Sequence, residues 1–221
     1  ASPALLGKGS GQFTAADFDV VDCGQGNGRA DLAMAIGKEL GVEITLVATT
    51  GKTRIPLLQN KRIDVELGTT TPTKKRDEVV DFPLVYNWDS VVILVRAGDS
   101  TNPADYGPPK SVAIPQGSIS GDLFKRNVPQ ADVRAFQEYG DAVSALLSNK
   151  TDAVLMNAFS VNEYKQRYAG KVEIGDSFFR DPQGVMTREN ESDLSDILSW
   201  TIQKLWADGT YATLYEKHFG F

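Results

Sequence analysis

The 221-residue chain has very little of what metal centres, disulfide frameworks and histidine-dependent catalysis need. It contains one cysteine and one histidine. A single cysteine excludes an internal disulfide and a cysteine-rich zinc site, and a single histidine weakens triad and metal-site interpretations. We therefore expect no cofactor and no bound metal.

Basic residues and long apolar runs are also scarce. Lys and Arg together number 23 against 29 Asp and Glu, which gives a formal net charge of −6. An acidic surface repels phosphate backbones, so we expect no nucleic-acid partner. No apolar run approaches the roughly 20 residues that span a bilayer. A basic segment followed by an apolar one is missing at the start, so no signal peptide is expected within this chain.

What the sequence does contain is typical of a soluble globular protein, with 41% apolar and 24% charged residues. Alternating or continuous apolar runs predict strands, and i, i+4 apolar spacing predicts helices between them. The predicted strands are 19–23, 42–46, 63–67, 91–95, 111–114, 133–136 and 153–156. The predicted helices are 31–40, 53–60, 122–127, 142–149, 161–168, 194–205 and 211–218. A Pro- and Gly-containing stretch between Gly98 and Lys110 separates two such blocks, which predicts two lobes with largely parallel sheets.

One segment carries groups suited to binding an anion. A predicted strand ends at Leu67, the hydroxyl residues 69–71 follow, and Pro72 is typical of a helix start capped by Thr71. Free backbone N–H groups and the dipole at a helix start favour an anion, and Arg76 could form a bidentate pair with a carboxylate. Ligands of open α/β sheets bind beyond the strand carboxyl ends. The alternative is that the threonines only cap a helix and Arg76 is a solvated charge.

Five segments in register resemble the extracytoplasmic solute-binding proteins of polar amino-acid ABC transporters (family 3), most of all the glutamate/aspartate type. The matching segments are Thr69-x-Thr71 with Arg76, Asp81-Phe82-Pro83-Leu84-Val85-Tyr86, Arg54 to Asn60, Gln116-Gly117-Ser118 and Asp208 to Phe219. This resemblance implies a type II periplasmic-binding-protein-like fold of two lobes, each a mostly parallel sheet flanked by helices. Its lobes would be 1–94 plus 184–221 and 95–183.

The resemblance also implies a role for individual residues. Arg76 would pair with the ligand's α-carboxylate, assisted by backbone N–H groups of Thr71 and Ile119 and by Ser118. Thr69 and Thr71 would bind the α-amino group, and Arg54 would reach a side-chain carboxylate. The alternative for Arg54 is a surface charge at a helix start. The predicted ligand-binding residues are Thr69, Thr70, Thr71, Arg76, Ser118, Ile119, Asn157 and Arg54.

Two departures from the family pattern leave the ligand open. Asn157 stands where most members have an Asp that neutralises the ligand's ammonium, and an amide brings no charge. A carboxylate without an amine therefore becomes credible. The front segment also lacks a counterpart of the family's stacking aromatic, since Tyr86 and Trp88 fit core or hinge positions better.

Two enzyme classes and a sensor are the alternatives. The run Asp22 to Gly28, with glycines at alternate positions, looks like the first motif of S-adenosylmethionine-dependent methyltransferases, but Ala48 to Gly51 offers no acid for a ribose. A dehydratase derived from a binding protein would need a general acid after Asn157, where 158–161 carry none. A sensor module that has lost transport is the third alternative.

We therefore predict a monomeric binding protein that is not an enzyme. It would close around an amino acid or another small carboxylate and deliver it to an ABC permease in the membrane. Such a protein works in the periplasm or elsewhere outside the cytoplasm. Cys23 is expected to be a buried small residue, and His218 a surface residue or a partner of a helix dipole.

Overall fold

The computed structural model describes residues 18–22 and 27–219 of the chain. These residues form two compact units. The first comprises the described residues up to Thr49, Thr53–Asn87 and those from Gln183 onward, and the second comprises Thr50–Lys52 and Trp88–Pro182. The predicted lobe limits place the first change at residue 94 instead of Asn87, and they remain a prediction.

The first unit is a mixed sheet with helices. Its strands follow the order β2-β1-β3-β8, with β1, β2 and β3 parallel and β8 antiparallel to β3. The strands are β1 (Phe18–Asp22), β2 (Ile44–Ala48), β3 (Val65–Glu66), and parts of β4 (Asp81–Arg96) and β8 (Val172–Thr187). The helices are α1 (Asn27–Leu40), α2 (Arg54–Gln59), α3 (Lys74–Asp77), α7 (Ser192–Ala207) and α8 (Thr210–Phe219).

The second unit repeats this plan. Its strands follow the order β4-β7-β5-β6, with β5, β6 and β7 parallel and β4 antiparallel to β7. The new strands are β5 (Ser111–Pro115), β6 (Asp132–Phe136) and β7 (Ala153–Asn157). The helices are α4 (Ser120–Asn127), α5 (Tyr139–Leu147) and α6 (Ala158–Arg167), and a 3₁₀ turn spans Pro103–Tyr106. The prediction of an α/β fold with mostly parallel sheets and flanking helices is confirmed.

The core of the second unit lies on both faces of its sheet. Along β7, Ala153 and Leu155 pack into one apolar cluster, whereas Val154 and Met156 pack into the other. Successive side chains of a strand point to opposite faces, so a strand covered on both sides must be apolar throughout. The run 153–156 satisfies this requirement, which is why it forms an internal strand.

The largest departures from the predicted elements are the two 16-residue strands that run through both units. The predicted strand 91–95 is only the second part of β4, and β8 was not predicted at all. Prolines and charged residues interrupt the apolar pattern of both, as at Pro83 and Asp181–Pro182. These interruptions hide a strand from a search for apolar periodicity.

Candidate functional site

Two loops carry predicted site residues to the same edge of the first unit's sheet. The register pairs Asp22 with Ala48 and Val21 with Glu66, so the parallel strands β1, β2 and β3 end together. The loop after β2 leads into α2, whose first residue is Arg54, and the loop after β3 carries Thr69 to Thr71. The carboxyl edge of an α/β sheet is where such folds bind ligands.

Beneath this edge lies a buried ion pair. Glu66 is 0% exposed in the central strand β3, and Arg54 is 4% exposed. Arg54 Nη1 lies 3.6 Å from Glu66 Oε1, and the Thr70 hydroxyl donates to the two Glu66 carboxylate oxygens at 3.0 and 2.9 Å. Arg54 is therefore not the surface charge that was its alternative. Its guanidinium has an internal counter-charge, and its predicted contact with a ligand remains a prediction.

The main chain of the Thr70–Thr71 loop is held from two sides. The Gly184 N–H of β8 donates to the Thr70 carbonyl at 2.9 Å, and Arg76 Nη1 donates to the Thr71 carbonyl at 2.7 Å. A Cβ at Gly184 would stand 2.6 Å from Phe82 and 2.8 Å from Pro72, so only glycine allows this approach. Thr69 is half-buried, Thr70 and Thr71 are buried, and Arg76 is half-buried.

The helix expected to start at Pro72 with Thr71 as its cap starts later. Thr73 is the N-cap, its hydroxyl accepts from the Arg76 N–H at 3.3 Å, and α3 is the single turn Lys74–Asp77. The predicted cap at Thr71 is wrong because the Thr71 carbonyl is engaged by the Arg76 side chain. One turn sums few peptide dipoles, so the predicted dipole contribution to anion binding falls away as well.

In the second unit, Ser118 and Ile119 occupy the turn between β5 and α4. The Ser118 N–H donates to the Pro115 carbonyl at 3.2 Å, and the Ser118 hydroxyl accepts from the Ser120 N–H at 3.1 Å. Ile119 is at the N-cap position of α4, and its carbonyl accepts the first helical bond from the Leu123 N–H at 3.1 Å. Gly117 reaches this turn with φ +81°, and a Cβ there would stand 2.3 Å from the Gly51 carbonyl oxygen.

Asn157 ends β7 at the same sheet edge as this turn, because β5 and β7 are parallel neighbours with Ala113 opposite Val154. The Asn157 side chain is only 6% exposed. Its Nδ2 donates to Asp181 Oδ2 at 2.8 Å, and its Oδ1 accepts from the Tyr139 hydroxyl at 3.3 Å. The amide is therefore fixed in orientation by one neutral and one acidic neighbour.

Sequence analysis missed the buried polar residues that support these loops. Glu66, Asp181 and Gln183 are each at most 3% exposed, and Gln183 Oε1 accepts from Asn87 Nδ2 at 2.9 Å and Arg29 Nη2 at 3.3 Å. Glu66 had a signal, since a charge in a central parallel strand, covered on both faces, needs a buried partner. Asp181 and Gln183 had none, because β8 itself was not predicted.

The only histidine joins the two ends of the first unit. His218 Nε2 lies 2.8 Å and Lys217 Nζ 2.6 Å from Asp31 Oδ2, so α8 is tied to α1. Hydrogen bonds from Lys217 and His218 hold the pKa of Asp31 below its usual value. His218 thus contacts a specific carboxylate, which the prediction of a surface residue or dipole partner did not include.

Within 18–22 and 27–219, no three His, Cys, Asp or Glu side chains lie close enough to hold a metal ion. In the same part of the chain, no helix has the length and apolar character needed to cross a membrane. Cys23 and the glycines at 24 and 26, on which the methyltransferase alternative rests, lie outside the described residues.

Comparison with known proteins shows the family to which the chain belongs. The sequence model of the bacterial extracellular solute-binding proteins, family 3, matches residues 17–221. The chain belongs to this family. It is 30% identical over 191 residues to the ABC transporter glutamine-binding protein GlnH of Bacillus subtilis (strain 168), covering 85% of this chain and 70% of the relative. It is 28% identical over 193 residues to the L-cystine-binding protein TcyJ of Escherichia coli (strain K12), covering 86% and 73%.

A solved structure supports the fold over nearly the whole chain. An ancestral arginine-binding protein bound to glutamine superposes with a TM-score of 0.85 at 28% identity, covering 94% of this chain and 98% of that one. The predicted periplasmic-binding-protein-like fold is therefore confirmed. The chain is thus a family 3 solute-binding protein, the relatives named here are amino-acid-binding proteins, and neither the methyltransferase nor the dehydratase alternative is favoured.

Proposed function

We propose that this protein binds one α-amino acid outside the cytoplasm and delivers it to an ABC permease. The observation that carries the proposal is the fixed Thr70–Arg76 segment at the carboxyl edge of the first unit's sheet. There the Arg76 guanidinium donates to the Thr71 carbonyl at 2.7 Å. The names of the relatives, which bind glutamine, cystine or arginine, support an amino acid as the ligand.

In this proposal Arg76 provides the positive charge for the ligand's α-carboxylate. A guanidinium has five N–H donors in a planar fork, a geometry that matches the two oxygen atoms of a carboxylate. Binding to a rigid loop costs little ordering free energy, because the threonine main chain is already held through Gly184. Thr69 and Thr71 then offer oxygen atoms to the ligand, and the donors expected from Ser118 and Ile119 remain a prediction.

The type of side chain on the ligand is a separate question. The predicted preference for glutamate or aspartate depended on Arg54, and Glu66 already lies 3.6 Å from that guanidinium. A second ligand carboxylate would have to compete with a buried internal one. The preference for acidic amino acids, the closure of the lobes 1–94 plus 184–221 and 95–183, and a monomeric state remain predictions.

Isothermal titration calorimetry of the protein with L-glutamine, L-arginine, L-cystine, L-glutamate and L-aspartate tests the proposal. We expect at least one of them to bind, and Arg76→Ala to weaken it by about 100-fold, as loss of a charge-assisted bidentate contact does. Lys75→Ala is the matched control, because it removes an exposed positive charge from the same helical turn. Equal affinities of the two variants would contradict the role of Arg76.

A further inference from the structure

Two tyrosines connect the C-terminal helix to the loop that carries Thr69 to Thr71. The Tyr86 hydroxyl, on β4, donates to the Gly68 carbonyl at 2.9 Å. The Tyr211 hydroxyl, on α8, donates to the Tyr86 carbonyl at 2.9 Å. Tyr86 is 4% exposed, and Tyr211 packs against the apolar cluster to which Tyr86 belongs. Within the first unit, helix α8 is therefore joined to the loop after β3 through two successive hydrogen bonds.

The bond to Gly68 fixes the direction of a peptide plane in this loop. A peptide bond is planar and trans, so the carbonyl of one residue and the N–H of the next point in opposite directions. The bond from the Tyr86 hydroxyl to the Gly68 carbonyl therefore also sets the direction of the Thr69 N–H. The main chain of β8 donates to the Thr70 carbonyl and sets the direction of the Thr71 N–H in the same way. Both peptide planes are oriented by groups outside the loop.

Building on the proposed function, we propose that Tyr86 is a positioning residue for ligand binding and that Tyr211 acts through Tyr86. Neither side chain has to touch the ligand. Tyr86 orients the start of the loop, and Tyr211 holds the main chain of Tyr86. A loop whose peptide planes are already oriented loses less conformational freedom when the ligand binds, so its affinity is higher. Helix α8 thus contributes to binding although it carries none of the predicted ligand contacts.

The ring and the hydroxyl of Tyr86 have separable roles. The ring belongs to an apolar cluster that also contains Leu67 and Val185, and a phenylalanine keeps this packing. Tyr86→Phe removes the hydroxyl alone, and the buried Gly68 carbonyl then loses that donor. A neutral hydrogen bond accounts for about a 3- to 10-fold change in an equilibrium constant. We therefore expect a loss of ligand affinity of that size when the hydroxyl is removed.

The test is isothermal titration calorimetry with L-glutamine, L-arginine, L-cystine, L-glutamate and L-aspartate, at a temperature at which every variant is folded. Tyr86→Phe should weaken the binding of each amino acid that the wild type binds by about 3- to 10-fold. Tyr106→Phe is the matched control, because Tyr106 is 1% exposed and its hydroxyl donates to the Ser100 carbonyl in the second unit. That control should lower the melting temperature to a similar extent and keep the wild-type affinity.

A second tyrosine variant separates positioning from a general loss of stability. Tyr211→Phe should weaken binding by itself but add nothing to Tyr86→Phe, because Tyr211 acts through Tyr86. If Tyr86→Phe folds poorly, the loss of affinity in Tyr211→Phe alone decides the question.

Three results would overturn the inference and leave the proposed function standing. They are wild-type affinity in both single variants, additive losses in the double variant, and an equal loss of affinity in Tyr106→Phe. If none of the five amino acids binds the wild-type protein, the proposed function fails, and the inference fails with it.

Discussion

The strongest stability prediction concerns the buried pair of Arg54 and Glu66. Arg54→Met keeps the apolar stem of the side chain and removes the guanidinium that lies 3.6 Å from Glu66 Oε1. Glu66 is 0% exposed, so its charge would remain in the interior without that partner. Removing one member of a buried ion pair costs about 3–5 kcal/mol of unfolding free energy.

This loss is large enough for simple assays. For a chain of this size, 1 kcal/mol shifts the melting temperature by about 2–4 °C, so Arg54→Met should melt about 6–20 °C below the wild type. Urea denaturation followed by circular dichroism gives the same quantity as a free energy, and the slope with urea shows whether the folded state is otherwise unchanged.

The second variant separates the ion pair from other effects of the substitution. Adding Glu66→Gln to Arg54→Met removes the uncompensated charge and keeps an acceptor for the Thr70 hydroxyl, which bonds to the Glu66 carboxylate at 2.9 Å. The double variant should therefore recover most of the lost stability, and the coupling free energy of the double-mutant cycle should be at least about 2 kcal/mol. Additive losses, or an Arg54→Met variant within about 1 kcal/mol of the wild type, would refute the reasoning.

The same double variant tests the ligand role predicted for Arg54 in a stable protein. If Arg54 contacts a side-chain carboxylate, the ratio of L-glutamate to L-glutamine affinity should fall on its removal. If its role is to neutralise Glu66, the ratio should stay the same.

Two further predictions concern one residue of the second unit and one residue of the first. Gly117→Ala should lower the melting temperature, because φ at Gly117 is +81° and the new Cβ would stand 2.3 Å from the Gly51 carbonyl oxygen. Gly140→Ala is the control, because a Cβ at Gly140 meets no atom within 4 Å. This control substitution should stabilise helix α5 by about 0.5–1 kcal/mol. An equal response of the two glycines would contradict the steric argument. Asp31→Asn should destabilise the protein at pH 7, and the difference from the wild type should shrink as the pH falls below 3.8. The pKa of Asp31 is lowered in the folded protein, so its carboxylate stabilises the fold only while it is ionised. If urea titrations gave the same difference in unfolding free energy between Asp31→Asn and the wild type at every pH, the charge would not be responsible.

The sequence predicted the regular parts of the fold because their patterns are local. The run 153–156 forms an internal strand and 194–205 lies within a long helix, as their apolar spacing indicated. The sequence did not predict the full length of β4 or any of β8, because these strands form by pairing with segments distant in the chain. Pro182 and charged neighbours also interrupt the apolar alternation that would mark a strand. Tertiary pairing thus overrides a weak local preference.

The candidate site likewise has features that the sequence predicts and features that it does not. The sequence points to Thr69 to Thr71 and Arg76 because they form a short motif after a strand, and their role in binding remains a prediction. The start of helix α3 was missed by two residues, since the Arg76 side chain binds the Thr71 carbonyl and Thr73 becomes the cap. No local pattern shows that interaction, because a side chain's choice of acceptor depends on the folded loop.

Asn157 shows why a single position can mislead about the ligand. Taken alone, an amide at this position lowers the expected affinity for an ammonium, and that inference is sound for an isolated side chain. In the structure, Asn157 Nδ2 donates to Asp181 Oδ2 at 2.8 Å, so the surroundings of this position include an acidic side chain as well as the amide. The two residues are 24 positions apart and on different strands, so nothing in the sequence connects them. The polarity of this position therefore has to be judged from the folded surroundings of Asn157, because its identity as an amide is only one of the features that decide it.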